Sequence, residues 1–114
     1  MTKRDSVILE KINHEAEVVH DLLDGVGEAV FLADEQKMRA VCMTFINIGE
    51  LVKNLTAELR LSHPDIPWKN ISGLRDIAAH GYFTLDMKAI RKTALEALPE
   101  FAINVQKILA SNNN

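Results

Sequence analysis

Apolar residues recur at intervals of three and four positions along most of the chain, which is the spacing of helices that bury one face. The first stripe ends beside Gly25 and Gly27, two residues that favour the end of a helix. The second stripe is regular across residues 38–59 and predicts one long helix there. Segment 28–34 between them fits either a short helical turn or the start of the long helix. The apolar positions are Leu9, Ile12, Ala16, Val19, Leu23 and Val26, then Met38, Val41, Phe45, Ile48, Val52, Leu55 and Leu59.

A proline-containing loop separates the long helix from a shorter third helix. Pro64 and Pro67 stand close together and prevent a helix from continuing through this stretch. Pro67 also suits the first turn of a new helix, which we predict over residues 68–79. Gly81 can adopt the left-handed conformation that caps a helix, so this helix should end just after His80.

A fourth helical run follows Asp86, whose side chain can cap its first turn. Its apolar stripe begins at Met87, and Pro99 is expected to break or kink the helix before the stripe resumes at Phe101. No segment alternates polar and apolar residues over the length of a strand. The chain is therefore predicted to be all-α, an up-and-down bundle of four to five helices.

The length of 114 residues predicts a single domain, which we assign to residues 1–110 and follow with a disordered tail at residues 111–114. Long amphipathic helices can also pack on a second copy of themselves, so the pattern is compatible with a homodimer.

The composition indicates a cytoplasmic protein without a membrane segment. No window is apolar enough to span a bilayer, and the first ten residues carry charges where a signal peptide would be apolar. The single cysteine, Cys42, cannot form an internal disulfide and is expected to be a small buried hydrophobe. A net charge of −3 opposes strong sequence-independent binding to nucleic acid but leaves room for a local basic cleft. His14 and His20 lie on nearly opposite sides of the first helix, and we expect neither a metal site nor another cofactor.

The densest candidate chemistry lies at the end of the third helix. Asp76 and His80 are four residues apart, so the carboxylate can orient the imidazole. Arg75 lies about 140° around the helix from His80, so its long side chain, a distorted last turn or a second protomer must bring the two together. An imidazole can activate the ribose 2′-hydroxyl of RNA while a guanidinium stabilises charge on the phosphoryl oxygens, without a metal. The alternative is a structural Asp–His pair with Arg75 in a surface or interface ion pair.

Other residues carry weaker signals. Gly49 costs about 1 kcal/mol relative to alanine within a helix, which indicates a close helix contact or steric access. Glu50 beside it is expected either to pair with a basic group across that contact or to be solvated. Trp68 is expected to be a packing anchor, with base stacking as the alternative. Three basic residues after the motif fit a solvated face or, alternatively, phosphate contacts: Lys88, Arg91 and Lys92.

The segment from Arg75 to Tyr82 resembles the Arg-x4-His-x-Tyr signature of the HepT-like branch of the HEPN superfamily, small helical proteins that include the toxins of MntA–HepT toxin–antitoxin pairs. The resemblance implies a homodimeric helical bundle and a metal-independent endoribonuclease with Arg75 and His80 as its catalytic pair, in a cleft between two protomers. The order of further features is similar along essentially the whole chain: Gly49-Glu50, Ile66-Pro67-Trp68, Phe83 and Pro99.

The same resemblance implies regulation at Tyr82, which an MntA-like nucleotidyltransferase antitoxin would adenylylate. Asp76 departs from the family pattern, because many members carry asparagine at this position, and its negative charge beside a phosphate site would weaken activity. The RNA target, whether tRNA or mRNA, stays open. Two other interpretations are a non-catalytic HEPN module that binds a nucleotidyltransferase partner and a structural bundle without a ligand.

Overall fold

The computed structural model describes residues 1–79 and 86–112, and within these ranges the protein is helical with no strand. The all-α prediction is therefore confirmed for the described part of the chain. In the same ranges, no helix is both long enough and apolar enough to cross a bilayer. The helices are α1 (Lys3–Leu23), α2 (Glu28–Leu32), α3 (Glu35–Lys53), α4 (Ala57–Ser62), α5 (Trp68–Ser72), α6 (Leu74–Ala79), α7 (Met87–Leu95) and α8 (Ala97–Asn112).

The helices form a bundle around one apolar core. α3 packs against α1 on one side and against α5 and α6 on the other, while α1 also packs along α8. Residues from the predicted stripes supply the centre of the core because each stripe faces the neighbouring helices. The most deeply buried large apolar side chains are Leu9, Ile12, Val19, Phe31, Val41, Phe45, Ile48, Val52, Leu98, Phe101 and Val105.

The first two helix ends follow from local signals. Gly25 has a φ of +72°, a value that favours glycine, and it directly follows Asp24, the C-terminal capping residue of α1. Asp34 caps α3 by accepting a hydrogen bond from the Lys37 backbone N–H at 3.0 Å. Segment 28–34 therefore contains a short separate helix, and the long helix begins after it.

The prediction of one helix over residues 38–59 was wrong. α3 ends at Lys53, and the last two apolar positions of the stripe belong to the turn and to α4. Thr56 starts α4 by accepting a hydrogen bond from the Leu59 backbone N–H at 3.2 Å. The buried carboxylate of Asp5 in turn accepts hydrogen bonds from the Thr56 backbone N–H and hydroxyl, at 3.0 and 2.6 Å. The hydrogen bonds between Asp5, near the start of the chain, and Thr56 thus stabilise the turn between α3 and α4.

The third predicted helix is divided into α5 and α6 at Gly73, which retains helical backbone angles of −66° and −16°. Its start is anchored by Trp68, which is 7% exposed. The indole Nε1–H donates to the His63 carbonyl at 3.0 Å, and the ring meets Phe101 edge to face at 5.7 Å. The packing role expected for Trp68 is confirmed.

The break predicted at Pro99 occurs three residues earlier, between α7 and α8. Asp86 caps α7 as expected, and Glu96 caps the other end, where its backbone N–H donates to the Lys92 carbonyl. Pro99 lies in the first turn of α8, where its missing N–H costs nothing. In a continuous helix the proline ring would clash with the Leu95 carbonyl four residues earlier, so the chain turns between them. α8 then continues to Asn112, and residues 113 and 114 lie outside the described part of the chain.

Candidate functional site

The candidate site begins with an unusually close approach of α3 and α6. A Cβ placed on Gly49 would lie 2.5 Å from the Cβ of Arg75, 2.7 Å from its backbone nitrogen and 2.9 Å from the Ser72 carbonyl oxygen. Two of these atoms belong to backbone and cannot move without shifting a helix. The close helix contact expected at Gly49 is therefore confirmed, and glycine is the residue that permits it.

Arg75 is held across this contact by the residue that follows the glycine. Its Nε lies 2.7 Å from Oε1 of Glu50, and the two side chains are 44% and 49% exposed. The pairing of Glu50 with a basic group is thus confirmed. Because the ion pair engages Nε, the inner nitrogen of the guanidinium, it fixes the direction of the group and leaves Nη1 and Nη2 for other partners.

Asp76 forms the second contact of the guanidinium. Arg75 Nη1 donates to Asp76 Oδ1 at 3.2 Å, and Lys53 Nζ lies 3.8 Å from the same oxygen. Sequence reasoning missed Lys53. It stands three positions after Glu50 and four after Gly49 on α3, so helical spacing places it on the face that meets α6.

The remaining members of the motif lie outside the described residues. Both His80 and Tyr82 belong to the range 80–85, which the structure does not describe. Three features therefore stay predictions: the pairing of Asp76 with His80, the approach of His80 to Arg75, and the end of the third helix after His80.

Most basic residues that follow the motif have partners within the fold. Arg91 Nη2 donates to the Val26 carbonyl at 3.3 Å, and Lys88 Nζ lies 4.0 Å from Oε1 of Glu28. Lys92 is exposed on the same helix. Arg91 and Lys88 thus connect α7 to the region around α2.

Two further expectations concern reactive side chains. Cys42 is buried, and this burial raises the pKa of its thiol. Its expected role as a small buried hydrophobe is confirmed. Among the described residues, no group of three or more His, Cys, Asp or Glu side chains is arranged to hold a metal ion.

Two surface grooves differ in their relation to Arg75. One, of about 560 Å³, runs between α1 and α3, and Glu50 forms part of its wall together with Asn47 and Asn54. The other, of about 590 Å³, lies between α1 and the helices α7 and α8. Because Glu50 belongs to the first groove and also holds Arg75, that groove adjoins the candidate site.

The described part of the site is suited to binding an anion. It combines a permanently charged, half-exposed guanidinium with a neighbouring ammonium group, and it aims the guanidinium by an ion pair. Two carboxylates balance these charges in the free protein. An anion that enters must therefore compete with Asp76 for Nη1 of Arg75.

Comparison with known proteins gives one consistent result. The family model described as "Ribonuclease HepT-like" matches residues 12–108. A protein of Caldanaerobacter subterraneus subsp. tengcongensis named "Putative RNase" is 38% identical over 101 residues, which cover 89% of this chain and 90% of the relative. The "Probable ribonuclease HepT" of Thermococcus cleftensis is 30% identical over 100 residues, covering 88% and 91% of the two chains. No solved structure gives a significant match.

Proposed function

The chain belongs to the HepT-like ribonuclease family, and from that premise we propose that it is a metal-independent endoribonuclease toxin that cleaves RNA through Arg75 and His80. The observation that carries the proposal is the ion pair of Arg75 with Glu50 at 2.7 Å. It holds a half-exposed guanidinium on the surface at the first residue of the family motif. Support for the reaction type comes from relatives that are named as ribonucleases.

The proposed reaction uses the 2′-hydroxyl of the substrate as nucleophile. The His80 imidazole takes its proton, the 2′-oxygen attacks the neighbouring phosphorus, and the bond to the 5′-oxygen breaks. The leaving 5′-oxygen takes a proton from water, His80 returns the proton that it accepted to the solvent, and the other product carries a 2′,3′-cyclic phosphate. Arg75 stabilises the negative charge that grows on the phosphoryl oxygens. DNA lacks the nucleophile and should not be cleaved.

The active form that we propose is a cytoplasmic homodimer with a cleft shared by two protomers. In such a cleft Arg75 of one protomer can meet His80 of the other, which would remove the 140° separation that a single helix imposes. The net charge of −3 is compatible with this proposal because the substrate contacts are confined to a small site.

Regulation is proposed at Tyr82 by an MntA-like nucleotidyltransferase antitoxin. The phenol oxygen would attack the α-phosphorus of ATP, so that AMP is transferred to the tyrosine and pyrophosphate leaves. The attached group adds bulk and negative charge beside the RNA path. Incubation with the partner and ATP should add one or more AMP masses to the parent chain but none to a Tyr82→Phe variant.

The decisive experiment is cleavage of a mixed RNA substrate in the presence of a chelator. We expect the parent chain to cleave RNA but not DNA, and Arg75→Ala and His80→Ala to lose at least about a hundredfold in rate. Arg39→Gln is a matched control, because Arg39 also pairs with a glutamate, Glu35, on the exposed surface of α3. Equal cleavage by the parent and both motif variants would contradict the proposal.

A second candidate function is a non-catalytic module that binds a nucleotidyltransferase partner. It is favoured by one observation, the engagement of Arg75 by the two carboxylates of Glu50 and Asp76. In that case an Arg75→Ala variant would lose assembly with the partner. Loss of RNA cleavage with assembly intact would instead support the enzyme.

A further inference from the structure

Two cations from different helices converge on one carboxylate oxygen beside the proposed catalytic arginine. Asp76 Oδ1 lies 3.2 Å from Arg75 Nη1 and 3.8 Å from Lys53 Nζ. Lys53 belongs to the last turn of α3, whereas Arg75 and Asp76 belong to α6. The contact of α3 with α6 therefore holds a guanidinium and an ammonium group around a single anionic oxygen.

A ligand can replace this carboxylate at little cost. The Lys53, Arg75 and Asp76 side chains are 43%, 44% and 61% exposed, so water already screens their ion pairs. A phosphate oxygen carries the same sign of charge as a carboxylate oxygen and accepts hydrogen bonds from the same donors. A phosphate oxygen of RNA can therefore take the place of the carboxylate oxygen that the two cations hold in the free protein.

We propose that Lys53 is a second phosphate-binding residue of this site, which shares one phosphate of the RNA backbone with Arg75, and that Asp76 competes with RNA for that position. The inference rests on the proposed function, since it takes RNA as the ligand. Arg75 contributes a fixed planar donor aimed by Glu50, whereas Lys53 contributes a mobile point charge at the end of a flexible side chain.

Lys53 could strengthen RNA binding either by neutralising the Asp76 carboxylate or by contacting an RNA phosphate directly. The Asp76→Asn substitution distinguishes these two effects. If Lys53 only neutralised the Asp76 carboxylate, removing that negative charge would make the lysine dispensable. If Lys53 contacts phosphate, its loss must weaken binding equally in the Asp76→Asn background. Each phosphate contact with a single strand also contributes about 0.7 to the slope of log K against log salt concentration.

The test measures binding of a 2′-O-methylated RNA oligonucleotide, which cannot be cleaved because its nucleophile is blocked, at several salt concentrations. We expect Lys53→Gln to reduce the salt slope by about 0.7, both alone and combined with Asp76→Asn. Asp76→Asn alone should tighten binding by about two- to fivefold at low salt. Lys53→Arg should retain the slope of the parent. Lys107→Gln, which removes an exposed lysine of α8, should leave it unchanged.

The outcomes separate this inference from the proposed function. If the parent chain cleaves unmodified RNA and Lys53→Gln keeps its full salt slope, the phosphate contact of Lys53 is refuted and the ribonuclease stands. An effect of Lys53→Gln that vanishes with Asp76→Asn would likewise overturn it, in favour of a neutralising role. A parent chain that neither cleaves nor binds RNA would overturn both proposals. Melting curves of each variant verify that the fold is retained.

Discussion

Gly49 and Arg75 approach so closely that a single methyl group on the glycine would lie 2.5 Å from the Cβ of the arginine. The missing side chain of one residue thus sets the position of the other. Since Glu50, the next residue on α3, pairs with the Arg75 guanidinium, backbone position and side-chain direction are determined at the same contact. The geometry of the candidate site therefore depends on the separation of α3 and α6.

Gly49→Ala is expected to force these helices apart. The overlap should cost about 1–3 kcal/mol, whereas alanine gains about 1 kcal/mol in helix propensity, so we expect a net destabilisation of up to about 2 kcal/mol. RNA cleavage should fall as well, because Arg75 moves with α6. Denaturant unfolding and a cleavage assay measure the two effects.

Gly73→Ala is the matched control for that substitution. Gly73 has helical backbone angles, and an added Cβ would meet its nearest neighbours at an ordinary distance of 3.4 Å. We expect it to be neutral or stabilising by up to about 1 kcal/mol. Equal destabilisation by both substitutions would show that the α3–α6 contact is not special.

Glu50→Gln should uncouple activity from stability. The carboxylate is 49% exposed, so its ion pair with Arg75 contributes less than about 1 kcal/mol to folding. Without the negative charge of Glu50, the Arg75 guanidinium is no longer held in one orientation. We therefore expect kcat to fall by about tenfold, with a smaller change in KM. Glu35→Gln, which removes the corresponding partner of Arg39 on the same helix, should leave both constants unchanged. A parallel loss in melting temperature and kcat would indicate a structural role instead.

Asp5 should make the fold sensitive to acid. Burial of the carboxyl opposes its ionisation, but hydrogen bonds from Thr56 and Thr2 outweigh this, so the pKa of Asp5 lies below its usual 3.8. A lowered pKa in the folded state means that the stabilisation is present above the unfolded pKa and is lost as pH falls through the folded one. The free energy of unfolding should therefore decrease as pH drops below about 4.

The Asp5→Asn variant tests this assignment. It keeps the shape of the side chain but removes the charge, and we expect a loss of about 1–3 kcal/mol at neutral pH. Its unfolding free energy should change less than that of the parent between neutral pH and pH values below 4. An unchanged acid profile would assign the pH dependence to other carboxyl groups. Urea unfolding at a series of pH values provides the measurement.

Cys42 should be unreactive in the native protein. Its side chain is buried and its thiol pKa is raised, so little thiolate is present and reagents cannot reach it. A thiol reagent should label the chain fully in denaturant and slowly, at the rate of unfolding, without it. Rapid native labelling would show that the packing around α3 opens readily.

The hydrophobic pattern predicted the features that depend on neighbouring residues. The apolar stripes identified the core-facing side of α1 and α3, and the cap at Asp86 and the end of α1 beside Gly25 followed from residue type alone. These features are predictable because capping, φ preference and amphipathic spacing act within one or two turns of the chain. For Gly49 the sequence indicated a close contact or steric access, and for Glu50 an ion pair or a solvated carboxylate, but it could not identify Arg75 as the partner of both.

Long-range contacts decided the rest. The unbroken stripe over residues 38–59 could not reveal that Asp5, about 50 residues away, holds Thr56 and ends the long helix early. Nor could it show that Lys53 and Arg75 share one oxygen of Asp76. Sequence alone determined which faces are apolar and where local signals stop a helix, since these depend on backbone sterics and periodicity. Only the tertiary structure decided which charges meet, because ion pairs between helices depend on how closely their backbones pack.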